Sequence, residues 1–377
     1  MPSADEVRAQ ALGVARGWSP PDAPPSWRLT AAFFDAIAAH DDLLDRLAVL
    51  PADRLPALLG SAAIAFLVRR DRPDPLAGYF PEPGADQPRF DDGFFPAFRA
   101  FCSARLDDIA GQCQDRRYQM NEVARCAQIA LGIAASNGGS TGPVALVDLG
   151  TGAGLGLQLD RYRYQIGSGT YGPAEASLTL ACEIRGPVPP PPPSLPPILT
   201  RIGVDLNPVD LADPAARAWL RACAPPETSA LTRLAAAMDI ARRHPAPIVA
   251  GDIVDTLHRV LAAIPAQQRI TIVDAYTAVF LPEQRRAELA GLLAETGRKR
   301  PVTWLSLDPL VPLGPAGRDS VQGLPLPPPL IRDYQDGGVF AVLGARTFDG
   351  DSDRSRLLAR AHPSGQWIEW LSPESAR

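Results

Sequence analysis

Five short, mainly apolar runs in the last two thirds of the chain limit its fold more than any other feature. They are Val144–Asp148, Ile202–Asp205, Ile248–Ala250, Ile270–Asp274 and Val302–Leu307. A run of that length with no polar alternation is stable as a strand only when both faces of the sheet are covered. Helical stretches at Ala215–Arg221, Ala230–Arg243 and Glu283–Thr296 separate several of them. Strand and helix in alternation predict a doubly wound, mostly parallel, Rossmann-like sheet, in an α/β fold.

Upstream the period changes. Phe33, Ile37, Leu43, Leu44 and Leu47 recur at near-helical spacing, as do Leu58, Leu59, Ala62, Ala63, Phe66 and Leu67. Leu106, Ile109 and Ala110, then Val123, Cys126, Ala127, Ala130 and Leu131, predict later helices. The segment 136–143 (SNGGSTGP) is rich in turn formers and marks a boundary. The division expected is a helical N-terminal domain over residues 1–140 and an α/β domain over 141–377. Residues 161–186, rich in Tyr, Gly and Thr, predict a β-hairpin insertion, which the proline-rich stretch 187–197 extends to about residue 197. That stretch reads as a stiff connector between strands, with a polyproline ligand for a partner domain as the alternative. At the end of the chain Val339–Phe348 and Arg356–His362 predict paired antiparallel strands, with Gln366–Leu371 nearby.

Composition excludes several classes. The net charge of −5 argues against a nucleic-acid partner. The apolar run Leu58–Val68 is too short to cross a bilayer and ends in Arg69 and Arg70. Five cysteines without a C-x-x-C pair predict free buried thiols in a reducing compartment. A cytoplasmic protein without a membrane partner is therefore expected. There is no G-x-S-x-G or H-E-x-x-H segment, so neither an esterase elbow nor a zinc hydrolase is expected. Asp349-Gly-Asp351-Ser-Asp353 starts like a calcium loop but has Arg354 where glycine is needed, and reads as a hairpin turn.

The sharpest chemical signal is Asp148-Leu-Gly150-Thr-Gly152-Ala-Gly154, directly after the first strand. Glycines there permit tight left-handed turns and close approach of a ligand, and a helix starting there would present free N–H groups. The dinucleotide spacing G-x-G-x-x-G fails, because Leu155 and Leu157 fall where the third glycine is required. A phosphate loop fails too, since Lys299, the single lysine, stands in no such sequence. A glycine-rich turn without a ligand is the plain alternative. Asp205 ends the second strand, where a carboxylate can accept both hydroxyls of a ribose. Asp252 follows the third strand and Asp274 ends the fourth. Each alone suits a solvated loop or a helix cap; in succession they mark the carboxyl edge of the sheet as a binding edge.

The D-x-G-x-G-x-G form resembles the first motif of class I methyltransferases. That resemblance implies S-adenosylmethionine as cofactor, held by Asp148, Gly150, Gly152, Gly154, Asp205 and Asp252, with Asp252 beside the adenine amino group. Nearly the whole chain also resembles a bacterial family known as domain of unknown function 2332. The matching segments are Phe95–Cys102, Arg116–Cys126, Asp160–Tyr164, Gly203–Asp210 and Trp304–Ser306. Its implied fold is methyltransferase-like. This chain has Gly152 and Gly156 where that family has Ser and Asn, and Asp274-Ala275-Tyr276 where the family has Phe-His-Ser, which removes any role carried by that histidine.

The function expected is methyl transfer to a small molecule, with a non-catalytic nucleotide- or S-adenosylmethionine-binding module as the alternative. Candidates on the acceptor side are Asp274, Tyr276, Asn121, Glu122 and the segment 161–164. A helix around Asn121 and Glu122 is expected over the carboxyl edge, with Arg117, Asn121 and Arg125 on one stripe; a structural cap is the alternative. Arg161 and Arg163 suit either a solvated hairpin face or a substrate clamp.

Overall fold

The computed structural model describes residues 1–20, 23–71, 73–137, 142–309 and 320–372. In chain order the helices are α1 (Ala4–Gly17), α2 (Trp27–Ala38), α3 (Asp41–Ala48), α4 (Pro56–Arg70), α5 (Phe94–Asp115), α6 (Arg125–Ser136), α7 (Pro214–Ala222), α8 (Thr228–Arg243), α9 (Ile253–Ala263), α10 (Glu283–Gly297) and α11 (Pro328–Gln335). The strands are β1 (Val144–Leu149), β2 (Arg163–Ile166), β3 (Gly169–Tyr171), β4 (Thr179–Arg185), β5 (Ile198–Asp205), β6 (Ile248–Ala250), β7 (Arg269–Ala275), β8 (Val302–Pro309), β9 (Ser320–Val321), β10 (Leu324–Pro325), β11 (Ala341–Asp349), β12 (Ser352–Ala361) and β13 (Trp367–Trp370). The chain forms two compact units: Met1–Glu122 with Asp210–Ala236, and Val123–Val209 with Ala237–Arg377.

The first unit is helical. Its first helix was not expected from the apolar pattern, yet its start is written in the sequence: Ser3 and Glu6 form a reciprocal capping box. The core packs Phe33 edge-on against Phe80 and Phe98. Trp219 of α7 belongs to this core; its indole donates to the Arg117 carbonyl at 2.8 Å, and the Arg116 guanidinium lies over both Trp219 and Phe66. The expected boundary at residue 140 moves to 122/123. Helix α6 belongs to the sheet unit, because Gly132 brings its backbone within reach of Leu305 and Leu343. Residues 138–141 of the expected connector lie outside the described residues.

The second unit is built on one sheet of order β3-β2-β4-β13-β12-β11-β8-β7-β1-β5-β6. Strands β6, β5, β1, β7 and β8 run parallel to one another, at or close to the five runs expected, and β11 pairs antiparallel with β8. β11 and β12 form the expected antiparallel pair, and β13 adds to β12. Residues 161–186 form more than a hairpin: β2 pairs antiparallel with β3 but parallel with β4, and β4 joins the main sheet through β13. The proline-rich stretch connects β4 to β5. In this segment Asp160 takes a two-pronged bond from Arg201 at 2.7 and 2.9 Å, and the Tyr162 and Tyr164 hydroxyls donate to the Leu155 and Leu159 carbonyls. All five cysteines are free and buried, and no helix among the described residues is long and apolar enough to cross a membrane.

Alternation along the strands sorts the two faces. Ala145, Val147 and Leu149 of β1 share a core with α9, α10, Ile270, Ile272, Val302 and Trp304; the alternate residues, Asp148 among them, point to the other face. There Gly203 of β5 stands opposite Asp148. A Cβ at Gly203 would lie 2.4 Å from Thr151 Cγ2, so the loop after β1 can close down only over a glycine. Gly203→Ala is therefore expected to lower stability by about 1–3 kcal/mol in urea unfolding. Adding Thr151→Ser, which removes the clashing methyl group, should recover part of the loss; additive losses would place the strain elsewhere.

Candidate functional site

β1 is the point where strand order reverses, with β5 on one side and β7 on the other. In open α/β sheets ligands bind at the carboxyl ends of strands beside such a point. Here three glycines alternate in the left-handed region: Gly150 (φ 70°), Gly152 (φ 57°) and Gly154 (φ 72°). An L-residue resists that conformation, and three in alternation coil the chain tightly over the strand ends. The helix expected after the loop is absent; a 3-10 turn over Gly156–Arg161 stands there.

Four of the loop's N–H donors are spent inside the protein. Gly150 and Thr151 N–H donate to the Val204 carbonyl at 2.8 and 3.3 Å, and Gly154 N–H to the Thr151 carbonyl at 2.9 Å. Gly152 N–H donates to Asp205 Oδ2 at 2.7 Å, while Asp205 Oδ1 accepts from Asn207 N–H at 2.7 Å. Asp148 accepts from the Thr151 hydroxyl at 2.6 Å. Burial, reinforced by Asp205, pushes the Asp148 carboxyl up to about 7 although the Thr151 bond opposes it. Asp252 caps α9, its Oδ1 accepting from Val254 and Asp255 N–H and from Arg285 at 2.5 Å. Among the described residues its Oδ2 carries no bond.

Asp274 is completely buried and belongs to the other face of the sheet from Asp148. It accepts from Thr277 and Ala278 N–H at 3.3 and 2.8 Å and from the Trp304 indole at 3.1 Å. Burial, with Asp308 adding to it, raises its carboxyl to about 7. Asp274 thus fastens the turn that follows β7. That turn borders the glycine loop, since a Cβ on Gly150 would fall 2.0 Å from Thr277 Oγ1. Tyr276 sits in the turn with φ 62°, and the Arg125 guanidinium lies 3.7 Å from its ring centroid. Asp308, which also donates nothing when ionised, accepts from Ser306 at 3.0 Å; the expected strand stopped one residue short of it, although Leu307-Asp308 repeats the pattern of an apolar run ending in a carboxylate.

The expected helix around Asn121 and Glu122 does not form. Helix α5 ends at Asp115 and α6 begins at Arg125, so residues 116–122 are non-helical and Arg117, Asn121 and Arg125 share no helix face. Glu122 pairs with Arg233 at 3.4 Å within the first unit, and the Asn121 amide donates to the Gln119 carbonyl at 3.4 Å. Arg125, in contrast, belongs to the sheet unit and reaches the β7 turn. Arg163 donates to the Ala174 carbonyl within the hairpin segment and Arg161 to Gln158, the bonds of a structural hairpin.

The two raised carboxyls set a pH dependence. Their folded values near 7 exceed an unfolded value of about 3.9, so the stability they contribute is full below about pH 4 and is lost as pH rises through 7. Urea unfolding should show stability falling between pH 5 and 7, by up to about 1.4 kcal/mol per pH unit for each group. Asp148→Asn should flatten that fall; an unchanged slope would mean that Asp148 is ionised throughout.

No curated protein matches the chain. A family model does, over residues 19–370. That match spans both units and includes the glycine loop and every strand-end carboxylate described above, and the chain belongs to the family described as uncharacterized protein conserved in bacteria (DUF2332).

Proposed function

We propose that the protein binds S-adenosylmethionine at the carboxyl edge of β1 and β5 and methylates a small molecule. The observation that carries this reading is the hydrogen-bond state of the glycine loop. The N–H groups of residues 150, 151, 152 and 154 are already taken, so the loop is no cradle for a phosphate, which needs donors. The buried Asp205 carboxylate beside it, joined by Asp148 as pH rises through about 7, repels an anion and attracts a cation. A dinucleotide would bring its pyrophosphate into that field, whereas S-adenosylmethionine brings an ammonium and a sulfonium.

The remaining groups fit an adenosyl ligand. A carboxylate has about four acceptor positions, and Asp205 uses two of them on Gly152 and Asn207, leaving two for ribose hydroxyls. The open oxygen of Asp252 suits the adenine amino group. When bound, S-adenosylmethionine supplies an already activated methyl group, so alignment of donor and acceptor provides most of the rate. The chain's part is to close the loop over the donor and hold the acceptor at the β7 turn. Asp274, facing away from the loop, acts here as a positioning residue for that turn.

One observation favours the second reading, a binding module without turnover. Of the two acceptor-side candidates at the β7 turn, Asp274 has its oxygens engaged on the other face, while burial raises the Tyr276 hydroxyl to about 12, too high for a base at neutral pH. Methyl transfer to an acceptor that carries no proton to lose needs neither.

Calorimetry separates these ligands. S-adenosylhomocysteine should bind at the micromolar level, with no comparable affinity for NAD or ATP; equal or tighter binding of NAD overturns the assignment. Gly152→Val, folded by circular dichroism, should weaken S-adenosylhomocysteine at least about tenfold, or 1.4 kcal/mol. Undiminished affinity would put the ligand elsewhere.

A further inference from the structure

Tyr276 combines three features that rarely coincide. It is an aromatic residue in the left-handed region, at φ 62°, a conformation that costs about 1–2 kcal/mol and persists only where the surroundings impose it. Its surroundings do so: its N–H donates to the Leu307 carbonyl at 2.9 Å, and Asp274 holds the next two N–H groups. Its ring is covered by Arg125, whose Nε is anchored on the Pro363 carbonyl at 2.7 Å. Last, its hydroxyl is enclosed and has no hydrogen-bond partner among the described residues. A buried hydroxyl left unpaired costs about 1–3 kcal/mol. A fold that needed only an aromatic plug would carry phenylalanine here and avoid that cost.

We propose that the Tyr276 hydroxyl is a specificity contact for the acceptor molecule, donating a hydrogen bond to an uncharged oxygen such as that of an amide or ketone. The proposal rests on the reading of this edge as the ligand site. Charge decides the class of partner. Asp308 and Arg125 both act on the Tyr276 hydroxyl with opposite sign. An anionic partner would meet Asp308, and a cationic one would meet Arg125 on the same ring; both are penalised in a site of low dielectric. A neutral oxygen meets neither penalty and satisfies the unpaired donor.

The test uses the full chain and its Tyr276→Phe variant, which keeps the ring and its contact with Arg125. Acetamide, acetate and methylammonium serve as probes, titrated by ligand-observed NMR with S-adenosylhomocysteine present; binding of S-adenosylhomocysteine itself is measured in parallel. Acetamide should bind in preference to the two ions, and Tyr276→Phe should weaken it roughly fivefold to tenfold, the size of one hydrogen bond. The variant should also melt no lower than the parent, because it loses an unpaired group. Preference for acetate or methylammonium, equal acetamide binding by both proteins, or a melting point several degrees lower in Tyr276→Phe would each overturn the proposal. Failure of S-adenosylhomocysteine to bind, with acetamide still sensitive to Tyr276→Phe, would remove the methyltransferase reading and leave this contact standing.

Discussion

The carboxylate of Asp205 ties the carboxyl edge of β1 and β5 together. One oxygen holds the middle of the glycine loop at Gly152, the other holds the start of the next segment at Asn207, and the Val209 N–H closes back onto the Gly152 carbonyl. Three left-handed glycines would otherwise be a costly stretch of chain to order, since glycine loses more backbone freedom than any other residue. Charge-assisted bonds to a buried carboxylate offset that cost more effectively than neutral ones. In the proposed reading the same group also offers its remaining acceptor positions to the ligand, so that structure and binding would share one side chain.

The sheet separates its buried acids by face. Asp148 and Asp205 lie with the glycine loop, whereas Asp274 and Asp308 lie with Trp304 on the opposite face. This division gives the strand-end acids different surroundings: Asp148 and Asp205 bond within the glycine loop, and Asp274 holds the β7 turn that carries Tyr276. Arg125 fits the same logic. A cation in the first turn of α6 opposes the helix dipole, and its stacking on Tyr276 and bond to Pro363 compensate for that placement.

Much of this was legible in the sequence because mainly apolar runs admit few interpretations. β6 spans the expected residues, β1 and β8 run one and two residues past the expected ends, and β7 extends by one residue at each end. β5 begins four residues earlier than expected, at Ile198, because a mixed polar start can still pair with β1. Topology was less legible: nothing in the local pattern of residues 161–186 says that β4 will run parallel to β2 and bind β13. The direction of Asp274 was readable in principle, since it alternates with Ile270 and Ile272, but strand-end carboxylates look alike until the alternation is followed strand by strand. The 116–124 segment misled because its polar residues recur at helical spacing, whereas contacts of Arg116 and Arg117 with Trp219, about a hundred residues away, determine its course. The Asp160–Tyr164 segment, distinctive in sequence, is explained by Arg201 and by the two tyrosine hydroxyls that cap the 3-10 turn.

The proposed adenosyl site lies at the carboxyl edge of β1 and β5. A crystal structure of the protein soaked with S-adenosylhomocysteine tests it directly. Ribose hydroxyls are expected on Asp205, the amino acid moiety over Gly150–Gly154, and the adenine amino group at Asp252. Density for the ligand at any other place, such as the cleft of about 340 Å³ lined by Tyr162, Tyr164 and Pro193, with the glycine loop vacant, would contradict it.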